Sequence, residues 1–70
     1  MTRQPVTSTS LAAVGFDPGS NTLEVEFQNA RVYRYGGVPQ AVFESLKEAE
    51  SKGRFFNANI RRHYPYERVS

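Results

Sequence analysis

The chain has 70 residues, no cysteine, one histidine and a net charge of +2. That length holds one small domain, near the lower limit at which a single core offsets chain entropy without metals or cross-links. The absence of cysteine excludes a disulfide scaffold, a thiol enzyme and a cysteine-ligated zinc or iron–sulfur module, and it fits a reducing compartment.

The opening MTRQPVTSTS is polar and lacks the apolar run of a secretory signal, so residues 1–5 are expected to form a flexible lead into a core spanning about residues 6–69. No stretch reaches the roughly 18 apolar residues that cross a bilayer. These features predict one cytoplasmic domain over residues 1–70, with no membrane association.

LAAVGFD, residues 11–17, leads into the turn residues PGSN, and TLEVEFQ, residues 22–28, follows. The second segment alternates cleanly, with Leu23, Val25 and Phe27 on one face and Thr22, Glu24, Glu26 and Gln28 on the other, as a half-buried strand requires. A loop at Pro18–Asn21 sets Phe16 opposite Leu23 and Val14 opposite Val25, joining one apolar face. The next turn, QNAR, decides where Tyr33 and Tyr35 point, because a one-residue slip reverses every side chain. A two-residue loop at Asn29 and Ala30 would pair Val25 with Arg34 and turn that charge into the core. A three-residue loop, Gln28 to Ala30, pairs Val25 with Tyr33 and Leu23 with Tyr35, and puts Arg34 opposite Glu24 on the wet face. The second register is expected, although it places a non-glycine residue, Ala30, in the left-handed region at a cost of roughly 1–2 kcal/mol. It leaves two roles open for Tyr33 and Tyr35, packing in the core or facing a ligand.

GGVPQAVFESLKEAE changes to helical spacing, with Val42, Phe43, Leu46 and Ala49 on one stripe and Pro39 in the first turn. SKGRFFNANIRRHY predicts a second helix, capped by Ser51 and stopped by Pro65, with Phe56, Ile60 and Tyr64 inward. Arg54, Asn57 and Arg61 then share an outward stripe, with Arg62 beside it. The tail YPYERV either packs across the seam or adds an edge strand. The predicted fold class is α+β, a three-stranded antiparallel meander with two C-terminal helices on one face.

Charge is unevenly placed. Residues 1–50 carry four basic and six acidic groups, giving −2, whereas residues 51–70 carry five basic groups against Glu67 alone, giving +4. Chemistry for turnover is missing from the pattern. His63 is the sole imidazole and sits among arginines, no serine, threonine or cysteine is paired with a base, and no ligand spacing for a metal occurs. Glu24 and Glu26 on one strand face are explained by Arg34 and solvent, and Gly36-Gly37 lacks the lysine of a phosphate loop. The sequence therefore predicts neither an enzyme nor a cofactor.

What remains is the interleaving of Lys52, Arg54, Arg61, Arg62 and Arg68 with Phe55, Phe56, His63, Tyr64 and Tyr66. Basic groups attract phosphates and aromatic planes stack on unpaired bases, so this mixture suits RNA or another single-stranded nucleic acid. The competing account is a solvated helix face in a small basic protein.

In order along the chain, TSTSLAAVGFDPGSNTLEVEF, the YxY of Tyr33-Arg34-Tyr35, and VPQAVFESLKEAESKGRFFNANIRRHYPYERV resemble the KTSC domain. This small module is named for its place at the C-terminus of some lysyl-tRNA synthetases and also stands alone in short bacterial and phage-type proteins. The resemblance runs from about Val6 to Val69 and departs at Ala30, where it leads to an expectation of glycine. It brings no established activity with it, and through its attachment to a tRNA-handling enzyme it suggests RNA binding. The expected function is thus a non-enzymatic accessory domain that binds nucleic acid through Lys52, Arg54, Asn57, Arg61, Arg62, Tyr64 and Tyr66. The alternative is a protein-interaction or self-association module whose exposed edge or tail pairs with a partner or a second copy.

Overall fold

The structure, a computed structural model, describes residues 2–70. Its strands are β1 (Gln4–Pro5), β2 (Leu11–Asp17), β3 (Thr22–Phe27), β4 (Val32–Tyr35) and β5 (Tyr66–Arg68), with helices α1 (Gln40–Glu48) and α2 (Lys52–Asn59) between β4 and β5. The strands form one antiparallel sheet in the order β1-β2-β3-β4-β5. The fold is α+β with two helices, as expected, but the sheet has five strands and not the three of a simple meander.

Both central hairpins take the expected register. Across β2 and β3, Phe16 pairs with Leu23 and Val14 with Val25. The intervening turn is held by the Asp17 carboxylate, which accepts from the Gly19 amide and the Ser20 hydroxyl, each at 3.0 Å. Across β3 and β4, Val25 pairs with Tyr33, Glu24 with Arg34 and Leu23 with Tyr35. The loop is Gln28–Ala30, closed by the Phe27 amide donating to the Arg31 carbonyl at 2.9 Å, with Ala30 at φ +71°. Ala30→Gly is expected to stabilise the protein by roughly 0.5–1 kcal/mol, the relief of the left-handed alanine less the greater freedom of glycine in the unfolded chain. A urea midpoint that falls in this variant would contradict the hairpin geometry.

The two additional strands lie at the sheet edges. Gln4 and Pro5, placed by composition in a flexible lead, pair with Val14 and Ala13. Proline is tolerated there because an edge strand leaves one row of amide positions unpaired. Met1, the first residue of that expected lead, lies outside the described residues. At the opposite edge Tyr66–Arg68 pairs with β4, which settles the tail as a strand.

The core lies between the sheet and the helices. Leu11, Val14, Leu23, Val25, Leu46 and Ile60 are fully buried there, joined by Tyr35, Phe43 and Phe56. Helix α2 ends five residues before the expected end at Tyr64. The Asn59 side chain bonds the Phe55 carbonyl at 3.2 Å, and the amides of Ile60 and Arg61 both donate to the Phe56 carbonyl at 3.0 Å. Asparagines compete with helical backbone bonding in this way. The following turns keep Ile60 in the core and return the chain to the free edge of β4.

On the other sheet face, Glu24 was expected beside Arg34 in solvent. The pair forms, with Arg34 Nε donating to Glu24 Oε1 at 2.8 Å, but Glu24 is only 4% exposed. Arg3 Nη1 donates to its other oxygen at 3.0 Å, so the carboxylate is clamped between two guanidiniums. Arg3 reaches this site because the backbone of Thr2 and Arg3 crosses directly above Gly15, the neighbour of Glu24 across the β2–β3 ladder; a Cβ at Gly15 would lie 2.8 Å from the Thr2 carbonyl oxygen. A residue larger than glycine would lift that crossing segment off the sheet.

Candidate nucleic-acid interface

The concave surface between β4, β5 and the end of α2 is a cleft of about 790 Å³, lined by Phe27, Tyr33, Tyr35, Phe56, Asn57, Arg61, Arg62, Tyr64, Pro65 and Tyr66. Its origin is local. Tyr33 and Tyr35 alternate onto the helix side of β4, Tyr66 is registered directly opposite Tyr35 on β5, and the early end of α2 turns Arg61 and Arg62 across the gap. The volume falls within the ordinary range for small-ligand sites, about 300–1,000 Å³.

The floor is a contiguous set of aromatic rings. Phe56 meets Tyr35 edge-on at 5.3 Å between centroids and Phe27 edge-on at 5.4 Å, and Phe27 meets Tyr33 edge-on at 5.7 Å. Tyr66 tilts over both tyrosines, at 5.6 Å from Tyr35 and 5.7 Å from Tyr33, and is itself 61% exposed. The two roles open for the YxY tyrosines are therefore combined. Tyr35 is buried and Tyr33 half-buried, each packs on the core with one side, and each lines the cleft with the other.

The charges are one-sided. No carboxylate lines the cleft, and among the described residues Arg61 and Arg62 form no ion pair. Burial raises the Tyr35 hydroxyl above the ordinary tyrosine range, the Tyr66 and Tyr33 hydroxyls push it the same way, and the Arg61 guanidinium opposes them. Tyr35 is accordingly a neutral phenol at physiological pH, able to donate a hydrogen bond. A cleft with planar apolar walls and uncompensated positive charge is suited to a planar anion and unsuited to a cation.

Of the seven residues singled out in the sequence, the structure brings Asn57, Arg61, Arg62, Tyr64 and Tyr66 together here. Lys52 and Arg54 stand apart. The Lys52 ammonium donates to the Ala49 carbonyl at 3.1 Å, and Arg54 borders a shallower depression with Glu50, Ser51 and Phe55. The single helical stripe that linked Arg54 to Arg61 does not exist, because the helix ends between them. Sequence reasoning left out Phe27, which it assigned to the core alone, and counted Phe56 among the interleaved aromatics without naming it as a site residue. The signal for Tyr33 and Tyr35 was their two-residue spacing beside a possible edge strand.

His63 is exposed, with Nε2 3.1 Å from the Ala58 carbonyl oxygen, a contact that ties the ring to the end of α2. Among the described residues no group of three or more His, Cys, Asp or Glu side chains could hold a metal ion, and no helix is long and apolar enough to cross a membrane.

Comparison with known proteins gives a consistent result. The family model of the KTSC domain matches residues 7–64. An uncharacterised protein of Stutzerimonas stutzeri is 44% identical over 70 residues, covering 99% of both chains. A lysine–tRNA ligase of Nostoc sp. is 37% identical over 60 residues, which is 86% of this chain but 11% of the ligase. The crystal structure of a KTSC domain protein from Yersinia pestis superposes with a TM-score of 0.96 at 35% identity, covering 99% of this chain and 97% of that one. None of these matches indicates a catalytic family for this domain. With a family model spanning most of the sequence, and a solved member of the same fold matching nearly end to end, the chain belongs to the KTSC domain family.

Proposed function

We propose that this protein is a non-enzymatic accessory module that binds single-stranded nucleic acid, RNA foremost, in the aromatic cleft between α2 and β5. The observation that carries this reading is the pairing of an aromatic floor with two guanidiniums that have no acidic partner among the described residues. Stacking on the exposed Tyr66 ring is worth about 1–3 kcal/mol per base and tolerates any base, while arginines take the phosphates. The occurrence of a related segment in lysine–tRNA ligases supports RNA over DNA as the natural partner.

The test is an amide NMR titration with short single-stranded RNA and DNA oligomers at low salt. Shifts are expected at Asn57 and from Arg61 to Tyr66, with Lys52 and Arg54 little affected. If Arg61 and Arg62 each neutralise one phosphate, log affinity falls with log salt at a slope near −1.4, from about −0.7 per contact. Unmoved amides throughout this region would remove the proposal.

A second reading has its own supporting observation. The Gly36 amide bonds the Pro65 carbonyl and the Val69 amide bonds the Val32 carbonyl, so alternation along β5 turns the amides of Tyr66 and Arg68 away from β4, toward solvent. That open edge fits the strand of another protein. Its signature is a change at Tyr66 and Arg68 on adding a protein partner in the absence of nucleic acid.

A further inference from the structure

We infer that the hydroxyls of Tyr33, Tyr35 and Tyr66, together with the Arg61 guanidinium, form a phosphate subsite inside the cleft; the inference rests on the nucleic-acid reading above and names the groups that hold the strand's backbone there. The sheet register brings the three phenols together. Tyr66 lies directly opposite Tyr35, Tyr33 stands two residues away on the same face of β4, and all three line the cleft with Arg61. Side chains of neighbouring strands stand roughly perpendicular to the sheet, so the Tyr35 and Tyr33 rings, 5.6 and 5.7 Å from that of Tyr66 between centroids, carry their hydroxyls in one direction with it.

Tyr35 supplies the observation that points to a ligand. It is only 4% exposed, yet among the described residues its hydroxyl makes no hydrogen bond. Among the same residues no side-chain oxygen is sealed from solvent without a partner, so the little surface Tyr35 retains includes the hydroxyl, which opens on the cleft. Burial keeps this phenol protonated, the Tyr66 and Tyr33 hydroxyls push the same way and the Arg61 guanidinium opposes them, so all three neighbours lie within its electrostatic reach.

Any ligand that fills the cleft covers that hydroxyl, and a polar hydrogen shut away from water without an acceptor costs free energy. The ligand must therefore bring an acceptor to this spot. Beside a guanidinium with no acidic partner among the described residues, and with no carboxylate in the lining, the favoured acceptor is an anion. A phosphate meets the whole set at once, since its unesterified oxygens accept from phenols and guanidinium together, and the base attached to it is left for the exposed face of Tyr66.

The experiment measures binding of uridine pentamers carrying a 5′-phosphate, a 3′-phosphate or hydroxyls at both ends to the intact protein and to Tyr35→Phe, at several salt concentrations. Phenylalanine keeps the ring and its packing and removes only a hydroxyl that bonds nothing within the protein, so the urea midpoint is expected to stay. Affinity is expected to fall by about 10- to 150-fold, the range of one hydrogen bond to a charged group, with the salt slope unchanged because no charge is lost. The phosphorus NMR resonance of the seated phosphate is expected to shift on binding the intact protein and to lose that shift in Tyr35→Phe. A drop confined to one phosphorylated end assigns the subsite to a terminal phosphate, and a drop for all three pentamers assigns it to the internal backbone. Unchanged affinity of Tyr35→Phe for every pentamer, or a loss with the same phosphorus spectrum in both complexes, overturns the subsite and leaves the cleft as a binding site. Failure of every pentamer to bind the intact protein overturns the nucleic-acid reading and the subsite with it.

Discussion

Phe56→Ala is expected to leave the chain largely unfolded. The side chain is 3% exposed and packs edge-on against both Phe27 and Tyr35, so it joins α2 to β3 and β4 in one contact set. Truncating a buried phenylalanine costs about 3–5 kcal/mol, the lost transfer energy plus the cavity left behind. A core in a domain of this size rarely supplies more than about 3–5 kcal/mol in total. The two figures are comparable, so the folded population should collapse. Near-ultraviolet circular dichroism of the tyrosines and a urea titration report it directly, and a cooperative transition close to that of the wild type would show that the sheet is stable without α2.

The second large effect is on binding. Replacing Arg61 and Arg62 together with alanine removes both cations of the cleft, while the fold is expected to survive because both side chains are exposed and unpaired among the described residues. Charge-assisted hydrogen bonds are worth about 1.5–3 kcal/mol each, so affinity for a short RNA at low salt should fall at least about a hundredfold. The salt slope should flatten by about 1.4 at the same time. Replacing Lys52 and Arg54 together with alanine is the matched control, since it removes the same two charges outside the cleft. An equal loss in that variant would mean that net charge, and not the cleft, attracts the strand.

Much of this fold is legible in the sequence where a single rule acts over several residues. Leu23, Val25 and Phe27 alternate without interruption, and only one loop length keeps Arg34 out of the core, so the registers of both central hairpins follow. The stripe of α1 is equally plain. The edges are not legible, since Gln4–Pro5 and Tyr66–Arg68 are too short to show a period and pair only because β2 and β4 have free sides. Burial of Glu24 depends on the Thr2–Arg3 segment crossing Gly15, a contact between residues distant in the chain. The end of α2 was hidden by Phe56, Ile60 and Tyr64, whose four-residue spacing continues through the turns. That same spacing put Lys52 and Arg54 with the wrong neighbours. The arginines and tyrosines of the cleft were recognisable by type, but their convergence depends on the fold of the tail.

The open edge of β5 also bears on how copies of this protein treat one another. A two-fold axis normal to a sheet can only be centred where a residue faces its own counterpart. The register that overlaps all of Tyr66–Arg68 centres on Glu67 and sets carboxylate against carboxylate at about 4.5–5.5 Å between Cβ atoms. Sliding by one residue toward the C-terminus opposes two Arg68 guanidiniums, whereas sliding the other way opposes Tyr66 to its own counterpart with no like charges facing. The opposite edge is two residues long and ends in Pro5. Two of the three two-fold registers along the β5 margin thus set like charges against one another, a penalty that a foreign strand with a different charge order does not meet.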